Sequence, residues 1–208
     1  LFNSNLPKVN IYAGTNENAH LSNFAVRPFT DEFGDTYKTV EGYFQSGKLQ
    51  HTTDNKYWRD GEYTNEGKIL LEKFKNASGS EAKSLGRTIT NLDTVTWDKV
   101  SSPIMLEGLL YSFKQNPNAL QKLLATGNAE LTHTQDKGKW GKEFPKLLME
   151  VRDELSNNTK STKTYSGLIT ALKPNQVFVF GSNPLGINGN PAKGTGGASL
   201  VALNNNWV

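Results

Sequence analysis

The sequence predicts an α+β fold: one compact, helix-rich domain with a few short strands, followed by a C-terminal appendage of strand, glycine-rich loop and helix. Three observations carry this. Between residues 64 and 156 apolar residues recur every three or four positions, the period of a helix face. Helix-start signals divide that stretch: Thr64, Ser78 with Glu81, Ser102-Pro103, and Asn116-Pro117. Strand-like alternation is confined to short segments near the N-terminus and around residue 130.

Residues 8–14 read as a strand with Val9, Ile11 and Ala13 on one side, and residues 25–29 as a second. The stretch from Asp31 to Asp35, with Gly34, reads as a hairpin turn into Thr36 and Tyr37. Thr39 then caps a helix, with Glu41 in its first turn, where a carboxylate suits the dipole. Val40, Tyr43, Phe44 and Gly47 form its packing side. Gly42 and Gly47 each weaken a helix by roughly 1 kcal/mol relative to Ala; they are read as clearance for a ligand.

The next helix carries Ile69, Leu70, Leu71 and Phe74, and the one after the Ser78–Glu81 capping box carries Ala82 and Leu85. Ser102-Pro103 opens a helix with Ile104, Leu106, Leu109, Leu110 and Phe113, and Asn116-Pro117 one with Leu120, Leu123 and Leu124. Ala129 to Thr134 reads as a short strand, and Phe144-Pro145 opens a last helix with Leu147, Leu148, Val151 and Leu155. These aliphatic stripes are assigned to the core.

From Ser156 to Lys163 the chain is polar and without pattern. The expected organisation is a main domain over 1–156, a linker over 157–165 and a further segment over 166–208, too short for a core of its own, that either docks on the main domain or starts a truncated second one. In that segment Gln176 to Phe180 is a strand candidate leading into Gly181, Ser182, Asn183 and more glycines. A strand, glycine loop and helix start make a weak phosphate-cradle signal. It matches neither common nucleotide fingerprint, and a flexible glycine loop stands evenly beside it.

Composition excludes several classes. Hydrophobic content of 36% and charge of 21% are ordinary for a soluble globular protein. A net charge of +3 commits the chain to no nucleic acid. Lys137, Lys139, Lys142 and Lys146 read as a solvated face rather than a phosphate track. No apolar run approaches the roughly 20 residues of a membrane span, and no signal peptide is visible. There is no cysteine, and His20, His51 and His133 lack metal-ligand spacing, so no metal or cofactor is expected. A cytoplasmic location agrees with this. Because the chain begins at Leu1 rather than Met, it is expected to be a piece of something longer.

The segment Thr39 to Lys48 carries the chemistry. Glu41 and Lys48 are seven residues apart; on a helix that is a rotation of about 700° and a rise of about 10.5 Å, so both lie on one face. An acid and an amine nucleophile on one face suit cleavage of a base–sugar bond. On spacing alone, two ordinary surface charges are the more common explanation.

Beyond spacing, Leu21-Ser-Asn-Phe24, Val40 to Lys48, Leu85-Gly-Arg87, Trp97, Phe113 with Asn116-Pro117, Asp136, Trp140-Gly141 and Leu147 to Arg152 together resemble the NADAR family. The resemblance covers roughly residues 9–156 and implies an N-glycosidase of helix-rich α+β fold. Family members cleave early riboflavin-pathway intermediates or remove ADP-ribose from guanine in nucleic acid. The implied partner is thus an ADP-ribose-containing or ribose-phosphate N-glycoside, with modified nucleic acid among the substrates.

The resemblance assigns Lys48 as the nucleophile that passes through a Schiff base, and Glu41 as the proton shuttle. Asn23 would bond ribose or base, against an even alternative of turn capping. Phe24 and Trp97 would stack on the base, and the polar neighbours of Trp97 predict its exposure. Tyr43 and Gln45, in the same motif, are candidate substrate contacts. Arg87 would hold a phosphate, with a helix-end ion pair weighted slightly higher. Asp136 would bind ribose hydroxyls or polarise a water, and Trp140 would close the pocket. The spacing from Asp136 to Trp140 is one residue longer than the family's usual form, and Lys142 to Pro145 replaces a glycine-rich stretch; both leave substrate choice open. A non-catalytic sensor or sponge for ADP-ribose or another NAD-derived nucleotide is the alternative.

Overall fold

The computed structural model describes residues 7–12 and 17–160, with side chains to residue 157. The chain divides into two units, Leu1–Ser161 and Thr162–Val208. The linker and appendage expectations, with Gly181, Ser182 and Asn183, lie outside the described residues.

Helix α1 (Val40–Ser46) is the centre of the first unit and runs directly into a 3-10 turn, Gly47–Gln50. Thr39 starts it as the sequence indicates: its hydroxyl accepts from the Gly42 N–H at 3.0 Å. Its neighbours are α2 (Asn65–Asn76), α3 (Gly79–Gly86) and α4 (Thr94–Gln115). Helix α5 (Pro117–Ala125) packs on α4, and α6 (Lys139–Lys160) covers α4 from the other end of the chain. Val40, Phe44 and Leu49 meet Phe74, Met105, Leu109 and Phe113 in one core.

The strands are two residues each, shorter than the sequence suggests. β1 (Val9–Asn10) pairs in parallel with β6 (Leu131–Thr132). β2 (Phe29–Thr30) and β3 (Thr36–Tyr37) form the expected hairpin, and β4 (Trp58–Arg59) pairs with β5 (Glu62–Tyr63). The packing of helices, not sheet formation, sets the architecture.

Several expectations are corrected. Pro103 does not open a helix. α4 begins at Thr94, where the Asp93 carboxylate accepts from the Thr96 N–H at 3.1 Å and its hydroxyl at 2.7 Å. The helix continues through Pro103 because Trp97, Ser101, Met105 and Leu109 share one buried stripe. That stripe outweighs one lost backbone hydrogen bond. Likewise α6 begins at Lys139 and carries Pro145 inside it, so Trp140, Phe144 and Leu148 belong to one helix. Ile69 is 61% exposed and not core; Leu71 and Phe74 hold that face of α2. Gly42 is not clearance for a ligand: a β-carbon there would sit 2.5 Å from the Phe74 carbonyl oxygen. Gly47 faces Ile104 and Trp97.

Candidate active site

Helix α1 presents Glu41, Phe44 and Gln45 on one side, and the 3-10 turn adds Lys48 to the same side. They line a cavity of about 430 Å³. The loop Ser22–Phe24 and Lys83 of α3 form its second wall. Trp97 and Met105 of α4 form a third. Tyr12, His133, Asp136 and the start of α6, with Trp140 and Phe144, close it.

Glu41 is 4% exposed, so the surface-charge reading of this residue fails. Each of its carboxylate oxygens has an amide donor. Gln45 Nε2 donates to Oε1 at 2.8 Å and Asn23 Nδ2 donates to Oε2 at 2.5 Å. Burial raises the Glu41 carboxyl above the usual carboxylate range; the Gln45 hydrogen bond, the Lys83 and Lys48 charges, and the Asn23 hydrogen bond oppose it. Lys48 moves the other way. Desolvation pulls its amine below the usual lysine value, the Glu41 charge opposes this, and Arg87 adds to the lowering. An acid pushed up and an amine pushed down stand about two turns apart on one side of the backbone, the pattern that separates acid and base roles.

The loop that carries Asn23 is fixed from beneath. Arg27, only 3% exposed, donates from Nη1 to the His20 carbonyl at 2.5 Å and to the Ser22 carbonyl at 2.8 Å. Its Nε donates to Ser112 Oγ of α4 at 2.9 Å, and its guanidinium lies 4.4 Å from the Phe113 ring centre. The Phe24 N–H donates to Ser22 Oγ at 3.1 Å. Phe24 itself rests on Gly79, where a β-carbon would strike its ring.

The aromatic walls are contiguous. Phe44 lies 5.2 Å from Trp97 and 5.0 Å from Trp140, the latter edge-on. Lys48 Nζ is 5.9 Å from the Trp97 ring centre. Trp97 is 9% exposed, against the exposure its polar neighbours predict; Thr96 and Asp98, next to it in the chain, turn about 100° to either side of it on the helix. Tyr12 meets His133 edge-on at 5.6 Å. Asp136 Oδ1 accepts from the Gly138 N–H at 2.8 Å, shaping the turn that starts α6.

The structure thus brings Asn23, Phe24, Glu41, Gln45, Lys48, Trp97, Asp136 and Trp140 to one cavity. Tyr43 and Arg87 do not line it. Tyr43 points away into a cluster with Phe29, Tyr37 and Tyr111, because residues two apart on a helix face different sides. Arg87 is exposed at the C-terminus of α3 and reaches the site only through its charge on Lys48. Tyr12, Ser22, Lys83, Met105, His133 and Phe144 line the cavity without having been singled out. For Lys83 a signal existed: Gly79, Ala82 and Gly86 form a small-residue side on which α3 lies flat against a neighbour, and Lys83 borders it. Among the described residues no group of three His, Cys, Asp or Glu is placed to hold a metal ion, and no helix is long and apolar enough to cross a membrane.

With this geometry in place, comparison with known proteins is informative. The NADAR domain model matches residues 11–147. The N-glycosidase YbiA of Shigella flexneri serotype 5b is 28% identical over 157 residues, covering 71% of this chain and 88% of that protein. An N-glycosidase of Nostoc punctiforme is 30% identical over 154 residues, covering 69% of this chain and 90% of its own. An N-glycosidase of Acanthamoeba polyphaga mimivirus is 38% identical over 92 residues, 35% of this chain and 54% of its own. The NMR structure of the E. coli protein YbiA superposes with a TM-score of 0.60 at 27% identity, over 77% of this chain and 91% of that one.

Proposed function

Because this chain belongs to the NADAR family, whose curated relatives above are named N-glycosidases, we propose that it hydrolyses the base–ribose bond of a ribose-phosphate N-glycoside. It is a hydrolase of glycosidic bonds. The substrate we assign is an ADP-ribosylated guanine, in nucleic acid or as a nucleotide, or a related riboflavin-pathway intermediate.

The observation that carries this reading is a pair of opposite displacements, a buried carboxyl on α1 raised and a half-buried amine on the 3-10 turn after it lowered, both facing one cavity. In the proposed reaction the neutral Lys48 amine adds to the anomeric carbon. The base leaves with the bonding electrons and takes a proton from the Glu41 carboxyl. The Glu41 carboxylate then accepts the amine proton and hands it to the ring oxygen as the C1–O bond breaks, which leaves a Schiff base on Lys48 and Glu41 again a carboxylate. Water, activated by Glu41, hydrolyses it and returns the free amine. Asn23 and Gln45 hold the Glu41 carboxylate, and the aromatic walls of Phe24, Trp97 and Trp140 offer faces for the base.

The test is incubation with a guanine-ADP-ribosylated oligonucleotide and, separately, with riboflavin-pathway intermediates, adding borohydride and recording intact mass. Base release with a sugar adduct that Lys48→Ala abolishes supports the mechanism, and the preferred substrate names the branch. Binding of ADP-ribose without release or adduct would make the chain a sensor or sponge instead.

A further inference from the structure

Lys83 is the lysine of the cavity wall that has no part in the chemistry above. It stands on α3 two residues beyond the Ser78–Glu81 capping box, exposed at the cavity wall. Its Nζ is 6.0 Å from the centre of the Phe24 ring. Among the described residues it makes no hydrogen bond or ion pair. Glu41, the nearby carboxylate, already has both oxygens taken by the amides of Asn23 and Gln45.

The charges around the cavity indicate what this ammonium is for. A lysine that attacks carbon must do so as a neutral amine. Once Lys48 is neutral, the cavity wall carries Glu41 and Asp136 as acids and Lys83 as its charged amine. With Glu41 holding the proton that it gives to the base, Lys83 is the ammonium on the cavity wall that attracts a substrate phosphate. Arg87, the sequence's phosphate candidate, does not line the cavity. An exposed lysine is a flexible point charge with three donors, suited to a phosphate ester that must enter and leave.

We propose that Lys83 binds the phosphate of the substrate and that the preference of this site for phosphorylated over unphosphorylated ribosides rests on it. The proposal builds on the glycosidase reading, since Lys48 must face the anomeric carbon while Lys83 holds the phosphate. Phe24, beneath the Lys83 amine and docked on Gly79, sets the direction from which that ammonium reaches the ligand.

The test uses the full chain with ribose 5-phosphate and ribose under cyanoborohydride. The open-chain aldehyde condenses with the Lys48 amine, losing water, and hydride reduces the imine to a stable adduct read by intact mass and placed by peptide mapping. Trapping of ribose 5-phosphate on Lys48 should be about tenfold faster than that of ribose. Lys83→Gln should erase the difference and Lys83→Arg should keep most of it. Equal trapping of the two sugars in the parent, or a preference that survives Lys83→Gln, overturns the assignment. Calorimetric binding of ribose 5-phosphate separates this from failure of the Schiff-base reading. If neither sugar is trapped, binding about tenfold weaker in Lys83→Gln still supports Lys83; equal or undetectable binding overturns it.

Discussion

Asn23 and Glu41 are joined twice: the Glu41 N–H donates to the Asn23 carbonyl at 3.0 Å, and Asn23 Nδ2 donates back to Glu41 Oε2 at 2.5 Å. One residue of a loop and one of a helix therefore hold each other in register. Through Arg27, which grips the carbonyls on that loop, the carboxylate is referred to α4 as well.

Asn23→Leu keeps the bulk and removes the donor. Losing a hydrogen bond to a buried charged group costs about 1.5–3 kcal/mol, so kcat should fall about ten- to a hundredfold. The Glu41 carboxyl should rise further, because the Asn23 bond is one of the interactions holding it down. The pH profile of kcat should move its Glu41 limb to higher pH; an unmoved limb would show that Asn23 does not act through Glu41.

Glu41→Gln should end turnover and yet stabilise the fold at neutral pH. The folded chain keeps the Glu41 proton to higher pH than the unfolded chain, whose carboxyl ionises near its ordinary value of 4.5. The stability this group lends is complete below that value and is lost as pH rises through the raised folded-state pKa. A glutamine suffers no such loss, so the difference in Tm between variant and parent should grow from pH 4 to pH 8. A constant difference would mean that burial of the charge has no cost.

Arg87→Gln should leave KM unchanged and shift the rate profile. The rate should rise with pH as Lys48 loses its proton, at a value below the usual 10.5 because of burial first, with Arg87 adding to the lowering. Removing Arg87 should move that limb to higher pH. Since Arg87 is exposed, high salt should shrink the shift. A raised KM for phosphorylated substrate, with the limb in place, would return the phosphate to Arg87.

Gly86→Ala tests the support of Gln45 from outside the cavity. A β-carbon at Gly86 would overlap the Gln45 side-chain oxygen, and Gln45 is 7% exposed with little room to give. Overpacking of this kind costs about 1–3 kcal/mol. It should displace the Gln45 amide from Glu41 Oε1 and lower kcat more than it lowers Tm in proportion. Paired kcat and thermal-unfolding measurements on Gly86→Ala and on Ser84→Ala, an exposed position of the same helix, would check this.

The sequence was most legible where a signal is local. Thr39, Thr64 and Ser78 start helices because each side chain accepts from an N–H three residues on, a relation readable in four letters. It misled where a local preference met a long-range one. Pro103 and Pro145 sit well as first helical residues, yet both lie inside helices whose buried stripes begin upstream. Trp97 is buried because Phe44, more than fifty residues earlier, meets its ring, and no neighbour in sequence reports that. β1 and β6 pair across most of the unit, beyond any local pattern. Of the candidate site, Glu41 and Lys48 were legible together because their spacing puts them on one side even though Lys48 falls in the 3-10 turn, while Gln45 came only with the family motif. Tyr12, Lys83 and His133 reach the cavity only by tertiary folding.

The α1 segment and its 3-10 extension put Glu41 and Lys48, the two side chains proposed to react, on one short, unbroken length of backbone, wedged among α2, α3 and α4. The surfaces facing them come from distant stretches, at residue 12, residues 22–24, residue 83 and residues 133–144. The eight residues from Glu41 to Lys48 are therefore a local unit that the chain forms with itself, whereas the walls opposite them exist only once remote segments have met, so a change in those walls can reshape the cavity without moving the acid or the amine.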